Sequence, residues 1–131
     1  MRWLLLLGAQ ARYDTLGAAV DALGALGEVH EHAAERLTGS AGGEPGQYRN
    51  RLVSLRHAGP REALVAECKR IERDLGRGRL DGMPVDIDLL ACAHGNDWQP
   101  DPHAVAKREF VMPHVRLLLA DAGLEAALPA A

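Results

Sequence analysis

Residues 60–92 read PREALVAECKRIERDLGRGRLDGMPVDIDLLAC, and this stretch decides the fold. In its first half Leu64, Cys68, Ile71 and Leu75 step by four, three and four, which puts them on one face of a helix. Pro60 suits the first turn of that helix and Gly76 its end. In the second half Val85, Ile87, Leu89 and Ala91 alternate with Asp86, Asp88, Leu90 and Cys92, the period of a strand. The basic, glycine-containing residues 77–83 join the two as a loop.

The reading extends outward from there. Tyr48 to His57 is a strand, with Val53, Leu55 and His57 alternating against Leu52 and Ser54. Residues 39–47 (GSAGGEPGQ) are a loop by composition, expected to be a mobile binding loop within the domain. Residues 28–37 form an ambiguous strand with polar alternation and little apolar signal. Leu16, Val20, Leu23 and Leu26 fall near one helical face, with Asp14 as the expected cap near Thr15 and Gly27 as the stop. Trp3 to Leu7 is an apolar run that fits a buried strand ended by Gly8. Downstream, residues 94–102 look like loop, and a last helix is expected from Pro113 to Asp121. The order is β-α-β-β-α-β with a C-terminal helical tail. That is the α+β class, and it matches a ferredoxin-like antiparallel sheet with helices on one face.

The chain has 131 residues, enough for one ordinary core, so residues 1–131 are expected to be a single domain. Hydrophobic residues at 47% and charged residues at 25% give a globular balance and argue against disorder. No apolar run approaches the ~20 residues of a membrane span. Leu4 to Leu7 lacks the charged flank and cleavage signal of a secretory peptide. Cys68 and Cys92 sit in apolar contexts and read as reduced core thiols of a cytoplasmic protein. A monomer is expected.

The net charge of −3 is unevenly spread. Residues 49–79 carry nine Lys or Arg against four Asp or Glu, whereas residues 80–131 carry three against eight. An arginine-rich middle followed by carboxylates suits a phosphorylated ligand bound with a divalent cation. The alternative is a solvated helix face with ordinary ion pairs among Arg61, Glu62, Glu72 and Arg73. The overall acidity argues against a nucleic-acid binder.

Asp86-Ile87-Asp88 is the sharpest chemical feature. Residues two apart on a strand point to the same face, roughly 6.5–7 Å apart along the chain. Two carboxylates aimed one way repel, and a divalent cation resolves the conflict. Mg²⁺ typically takes one or two carboxylates plus substrate phosphates, and two ions could bridge both aspartates and a polyphosphate. The alternative is a pair of solvated aspartates on an exposed strand edge. His30 and His32 would share a strand face but have no evident further ligand. His94 and His114 read as structural or exposed.

Around this pair stand Tyr48-Arg49-Asn50, then Ile71-Glu72-Arg73-Asp74-Leu75-Gly76-Arg77-Gly78-Arg79, then Pro102-His103, then Arg108-Glu109-Phe110-Val111-Met112-Pro113. The constellation resembles the hydroxymethyl-dihydropterin pyrophosphokinase family. That family's pattern runs Y-x-N, I-E-x-x-x-G-R-x-R, L-D-x-D-I-x-L, P-H, and R-x-F-x-x-x-P. The resemblance covers most of residues 3–120 and implies ATP- and magnesium-dependent transfer of pyrophosphate to a dihydropterin hydroxymethyl group, releasing AMP. It implies that Asp86 and Asp88 bind two Mg²⁺ ions. It implies that Tyr48, Asn50 and Phe110 form the pterin pocket, Phe110 stacking on the ring. Arg77, Arg79, His103 and Arg108 match residues that contact the triphosphate or act during transfer. Val65, Lys69 and Glu72, with Arg79 and His103, fall where the family lines its nucleotide site. Gly8-Ala9-Gln10 matches the turn after the first strand in weakened form. The implied partners are small molecules, ATP and hydroxymethyl-dihydropterin, with no nucleic acid and no membrane.

The chain departs from the pattern in one region above all. Leu80-Asp81-Gly82-Met83-Pro84 stands where the family usually has a Trp-Gly-Pro-Arg-like run. A Trp that seals the pterin and an Arg that grips phosphate are absent there. Ala104 stands where an aromatic or Pro is common, and the interval from His103 to Arg108 is one residue short. A shortened lid closes poorly. The alternative function is therefore a catalytically weak or inactive homologue that still binds a pterin or nucleotide.

Overall fold

The computed structural model describes residues 1–39 and 47–130. The elements run β1 (Arg2–Gln10), α1 (Leu16–Gly24), β2 (Val29–Gly39), β3 (Gln47–Arg56), α2 (Arg61–Asp74), β4 (Asp86–His94), β5 (Asp97–Pro100), α3 (Pro102–Ala106), a 3-10 turn (Glu109–Val111) and α4 (Pro113–Asp121). The strands form an open antiparallel sheet in the order β2-β3-β1-β4-β5. The class is α+β.

β1 is the middle strand, and both of its faces are covered. Trp3, Leu5, Leu7 and Ala9 pack with Val53, Leu55, Ile87 and Leu89 beneath Leu16, Ala19 and Leu23 of α1 and Leu64, Cys68 and Ile71 of α2. Leu4 and Leu6 face the other side, where Val115, Leu118 and Leu119 of α4 close a second core with Leu52, Leu90 and Phe110. A strand buried on both faces needs apolar residues at every position, which is why residues 3–7 show no alternation. The C-terminal helix is thus no tail: it supplies the cover for the second sheet face.

Several local expectations change. Gly8 does not end β1. It lies inside the strand, paired with Asn50 on one side and Asp86 on the other. Asp14 does not cap α1: Thr15 is the N-cap position, without a side-chain cap bond, and its hydroxyl donates to the Pro84 carbonyl. Gly27 does not stop α1, which ends at Gly24. Gly27 is instead a close-approach site, since a Cβ there would stand 1.9 Å from the Arg56 carbonyl oxygen. Residues 94–102 are not a loop. Gly95-Asn96 is a two-residue hairpin turn, with Gly95 at φ 63°, that folds Asp97–Pro100 onto β4. Pro100 is tolerated there because β5 is an edge strand.

The ambiguous strand at 28–37 forms as β2 and runs on to Gly39. The expected binding loop at 39–47 lies, apart from its two end residues, outside the described residues. Cys68 and Cys92 are both free thiols, Cys68 buried and Cys92 partly exposed. Among the described residues, no helix is long and apolar enough to cross a membrane.

Candidate active site

β5 pairs only with Ala91–His94, so the Asp86–Leu90 half of β4 has no strand on its outer edge. α2 passes on one side of this edge and α3 on the other. Between them opens a cleft of about 720 Å³ lined by Arg61, Val65, Lys69, Glu72, Arg77, Asp86, Asp88, His103, Lys107 and Glu109, with Cys68, Ile87 and Leu89 at its floor. That volume is typical of a small-molecule site.

The free edge is satisfied by a side chain. Glu72, 8% exposed, accepts the Ile87 N–H at 2.8 Å. Burial pushes the Glu72 carboxyl up, an effect that the Ile87 bond and the Arg77 charge only partly offset. Arg77 Nη1 donates to Asp86 Oδ1 at 2.8 Å and to the Val85 carbonyl at 3.2 Å, and it lies 3.5 Å from Glu72. Burial raises Asp86, but hydrogen bonding with Asp88 and Arg77 and the Arg77 charge outweigh it and hold the carboxyl low. Asp88 is the opposite case: burial, then the neighbouring Asp86 charge, push it up to about 8. Lys107 Nζ stands 3.9 Å from Asp88 and 3.6 Å from Glu109 and does not cancel this. Burial also pushes the Cys68 thiol up to about 12, so it stays protonated.

This electrostatic layout fits a divalent cation. An aspartate pair in which one member holds a proton up to about 8 is short of positive charge where both oxygens could face a ligand. Among the described residues no group of three or more His, Cys, Asp or Glu is arranged to hold a metal ion. Two carboxylates suit Mg²⁺, which keeps waters and takes phosphate oxygens, better than a cation that needs an all-protein cage.

The residues singled out in the sequence divide into two groups. The cleft brings together Val65, Lys69, Glu72, Arg77, Asp86, Asp88 and His103. Tyr48, Asn50, Phe110, Arg79 and Arg108 do not line it. Arg79 is exposed and points at the Arg73 and Asp74 carbonyls, 3.5 and 3.4 Å away. Arg108 is exposed at φ 59°, the left-handed region, where the chain leaves α3. Phe110 is buried in the second core. Asn50 is buried and donates to Thr38 Oγ1 at 2.5 Å. Asn50 nevertheless belongs to the same stretch of sheet as the aspartates, because Asn50, Gly8 and Asp86 form one cross-strand row. Directly paired residues share a face, and the missing side chain of Gly8 lets the Asn50 amide lie close over β1. A Cβ on Gly8 would come within 3.3 Å of Asn50 Oδ1.

Arg61, Asp101, Lys107 and Glu109 were not legible as site residues. The alternative reading of the charge pattern pairs Arg61 on its own helix. Arg61 instead pairs with Asp101, Nε to Oδ1 at 2.7 Å. Nothing in the spacing of these four residues signals the cleft. His30 and His32 do not share a ligand: His30 meets Glu28 at 2.8 Å and His32 meets Ser54 at 2.9 Å.

Fold and cleft together define a class, an α+β protein with an acidic pair set among arginines and lysines at an open sheet edge. The sequence matches the family model of 7,8-dihydro-6-hydroxymethylpterin-pyrophosphokinase (HPPK) over residues 4–120, and the chain belongs to that family. No curated protein matches the chain. The family is one of folate-biosynthesis pyrophosphokinases, ATP-dependent and typically magnesium-dependent, that act on small molecules.

Proposed function

We propose that this chain transfers the pyrophosphoryl group of ATP to the hydroxymethyl oxygen of a dihydropterin and releases AMP. The observation that carries the reading is the Asp86/Asp88 pair facing a cleft of about 720 Å³ with Arg61, Lys69, Arg77, His103 and Lys107 on its walls. Asp86 and Asp88 would hold two Mg²⁺ ions, which when bound neutralise phosphate charge and polarise the β-phosphoryl group. The rest of the work is positioning and charge stabilisation by fixed groups. Val65, Lys69 and Glu72 line the nucleotide. Arg77, Arg79, His103 and Arg108 meet the triphosphate, with Arg79 and Arg108 swinging in from exposed positions. Tyr48, Asn50 and Phe110 take the pterin, and the place of Asn50 in one cross-strand row with Gly8 and Asp86 supports it as the group that reads the ring edge. The strand order and the two helices on one face support a ferredoxin-like unit in β1 to β4. We read the chain as a single, monomeric, cytoplasmic domain.

A catalytically weak or inactive homologue that still binds a pterin or nucleotide is the second reading, and one observation favours it. The short segment 80–84 is tied down on the end of β1. Gln10 N–H donates to the Met83 carbonyl at 2.9 Å, and Met83 N–H donates to Gln10 Oε1 at 2.8 Å. Arg12 and Tyr13 both donate to the Asp81 carbonyl. A segment held this way is tethered to β1, which disfavours its closing over substrates.

The test is AMP formation from ATP and Mg²⁺ with and without hydroxymethyl-dihydropterin, with Asp88→Ala as control. Pterin-dependent AMP that disappears in the variant supports the first reading. Pterin binding without AMP supports the second. Turnover that survives Asp88→Ala removes the metal assignment.

A further inference from the structure

Arg61 opens α2 and Asp101 immediately precedes α3. Arg61 Nε donates to Asp101 Oδ1 at 2.7 Å and Arg61 Nη2 to Oδ2 at 2.8 Å, a two-pronged fork. The Asp101 side chain is 2% exposed. Asp101 Oδ2 also accepts the His103 N–H at 3.2 Å, and the Asp101 N–H donates to the Leu90 carbonyl at 2.8 Å. One carboxylate thus joins α2, the start of α3 and, through its own backbone, β4. Arg61 and His103 both line the cleft.

We propose that Arg61 is a positioning residue: by gripping Asp101 it fixes the first turn of α3 and holds His103 where the nucleotide phosphates bind. The inference rests on the role given to His103 in the proposed function. Helix α3 has only five residues, too few to hold its own shape in water. Its orientation must come from anchors, and the Arg61–Asp101 fork is a directional one that ends on a buried carboxylate. A lysine at 61 keeps the charge and loses the fork.

Three variants test this. Arg61→Lys removes the fork. Arg61→Leu combined with Asp101→Asn removes both charges, so no unpaired carboxylate is left buried if a single variant fails to fold. Arg70→Ala removes an arginine of α2 that, among the described residues, pairs only with Glu67 and Asp74, and serves as the control. The readouts are hydrogen exchange at the Val105 and Lys107 amides, which bond to the Asp101 and His103 carbonyls, and the Kd of Mg²⁺ with a non-hydrolysable α,β-methylene ATP. The expected result is about ten-fold faster exchange at both amides together with about ten-fold weaker nucleotide binding, the scale on which misplaced groups cost binding and rate. This holds for Arg61→Lys and for the double variant, with both readouts unchanged in Arg70→Ala. Weaker binding without faster exchange overturns the proposal, because Arg61 would then touch nucleotide directly. Faster exchange with unchanged binding overturns it too, because the fork would then be structural only. If the unaltered protein does not bind the nucleotide, the proposed function itself fails; unchanged binding in the variants of a protein that does bind removes only the role of Arg61.

Discussion

Arg77 and Asp86 meet at 2.8 Å at the cleft, and this contact is one of the causes that make the two aspartates unequal. Against its burial, Asp86 is held low by hydrogen bonding with Asp88 and with Arg77 and by the Arg77 charge, whereas burial and the Asp86 charge let Asp88 retain its proton up to about 8. Arg77 therefore presets one carboxylate and offers a cation to a phosphate. Arg77→Met is expected to lower pterin-dependent AMP formation by about 100-fold or more, the usual effect of losing one preorganised charge donor. Steady-state kinetics with unchanged far-UV circular dichroism checks it. A loss of under ten-fold would move the phosphate contact to other cations such as Lys107.

The same inequality gives a pH dependence. Asp88 binds its proton up to about 8 in the folded chain and up to about 3.8 when unfolded. Between these values the folded state carries more protons, so stability falls as pH rises from about 4 to about 8. Thermal melts in chelator should show this slope, and Asp88→Asn should flatten it. Added Mg²⁺ should raise Tm more at pH 8 than at pH 6, since a cation binds the ionised pair. An equal Mg²⁺ effect at both values would contradict the assignment.

Gly82 sits at φ 72°, and a Cβ there would lie 1.9 Å from Gln10 Oε1. Gly82→Ala must both strain the backbone and break the Gln10–Met83 contact. The expected cost is about 1–3 kcal/mol in urea unfolding. A neutral substitution would mean that segment 80–84 is not held against β1.

Leu118 on α4 is fully buried, as is Leu23 on α1. Leu118→Ala and Leu23→Ala should each cost about 2–5 kcal/mol by denaturant unfolding. A cost near zero for Leu118→Ala, with the normal cost for Leu23→Ala, would return α4 to the status of a loose tail.

The sequence reads clearly wherever a periodic pattern meets one covered face. The spacing of Leu64, Cys68 and Ile71 places α2 because one stripe of it is buried. The last helix, expected from about Pro113 to Asp121, forms there for a different reason: Pro113 marks its start. β5 and α3 were hidden because four and five residues carry no period. A turn at Gly95 and a buried Asp101 make them form. Gly8 and Gly27 look like stops in sequence, and both turn out to be positions where another strand comes close.

For the site, the sequence by itself determined which chemistry is present: two carboxylates two residues apart on a strand, and arginines following a helix. These are fixed by local spacing, because i and i+2 on a strand share a face whatever the rest of the chain does. Only the tertiary structure decided what stands opposite them. Lys107 reaches Asp88, and Glu109 reaches Lys107, because α3 and the 3-10 turn fold back over the β4 edge. Arg61 reaches Asp101 across 40 residues. Such contacts arise from the packing of separate elements and leave no spacing in the chain that could announce them.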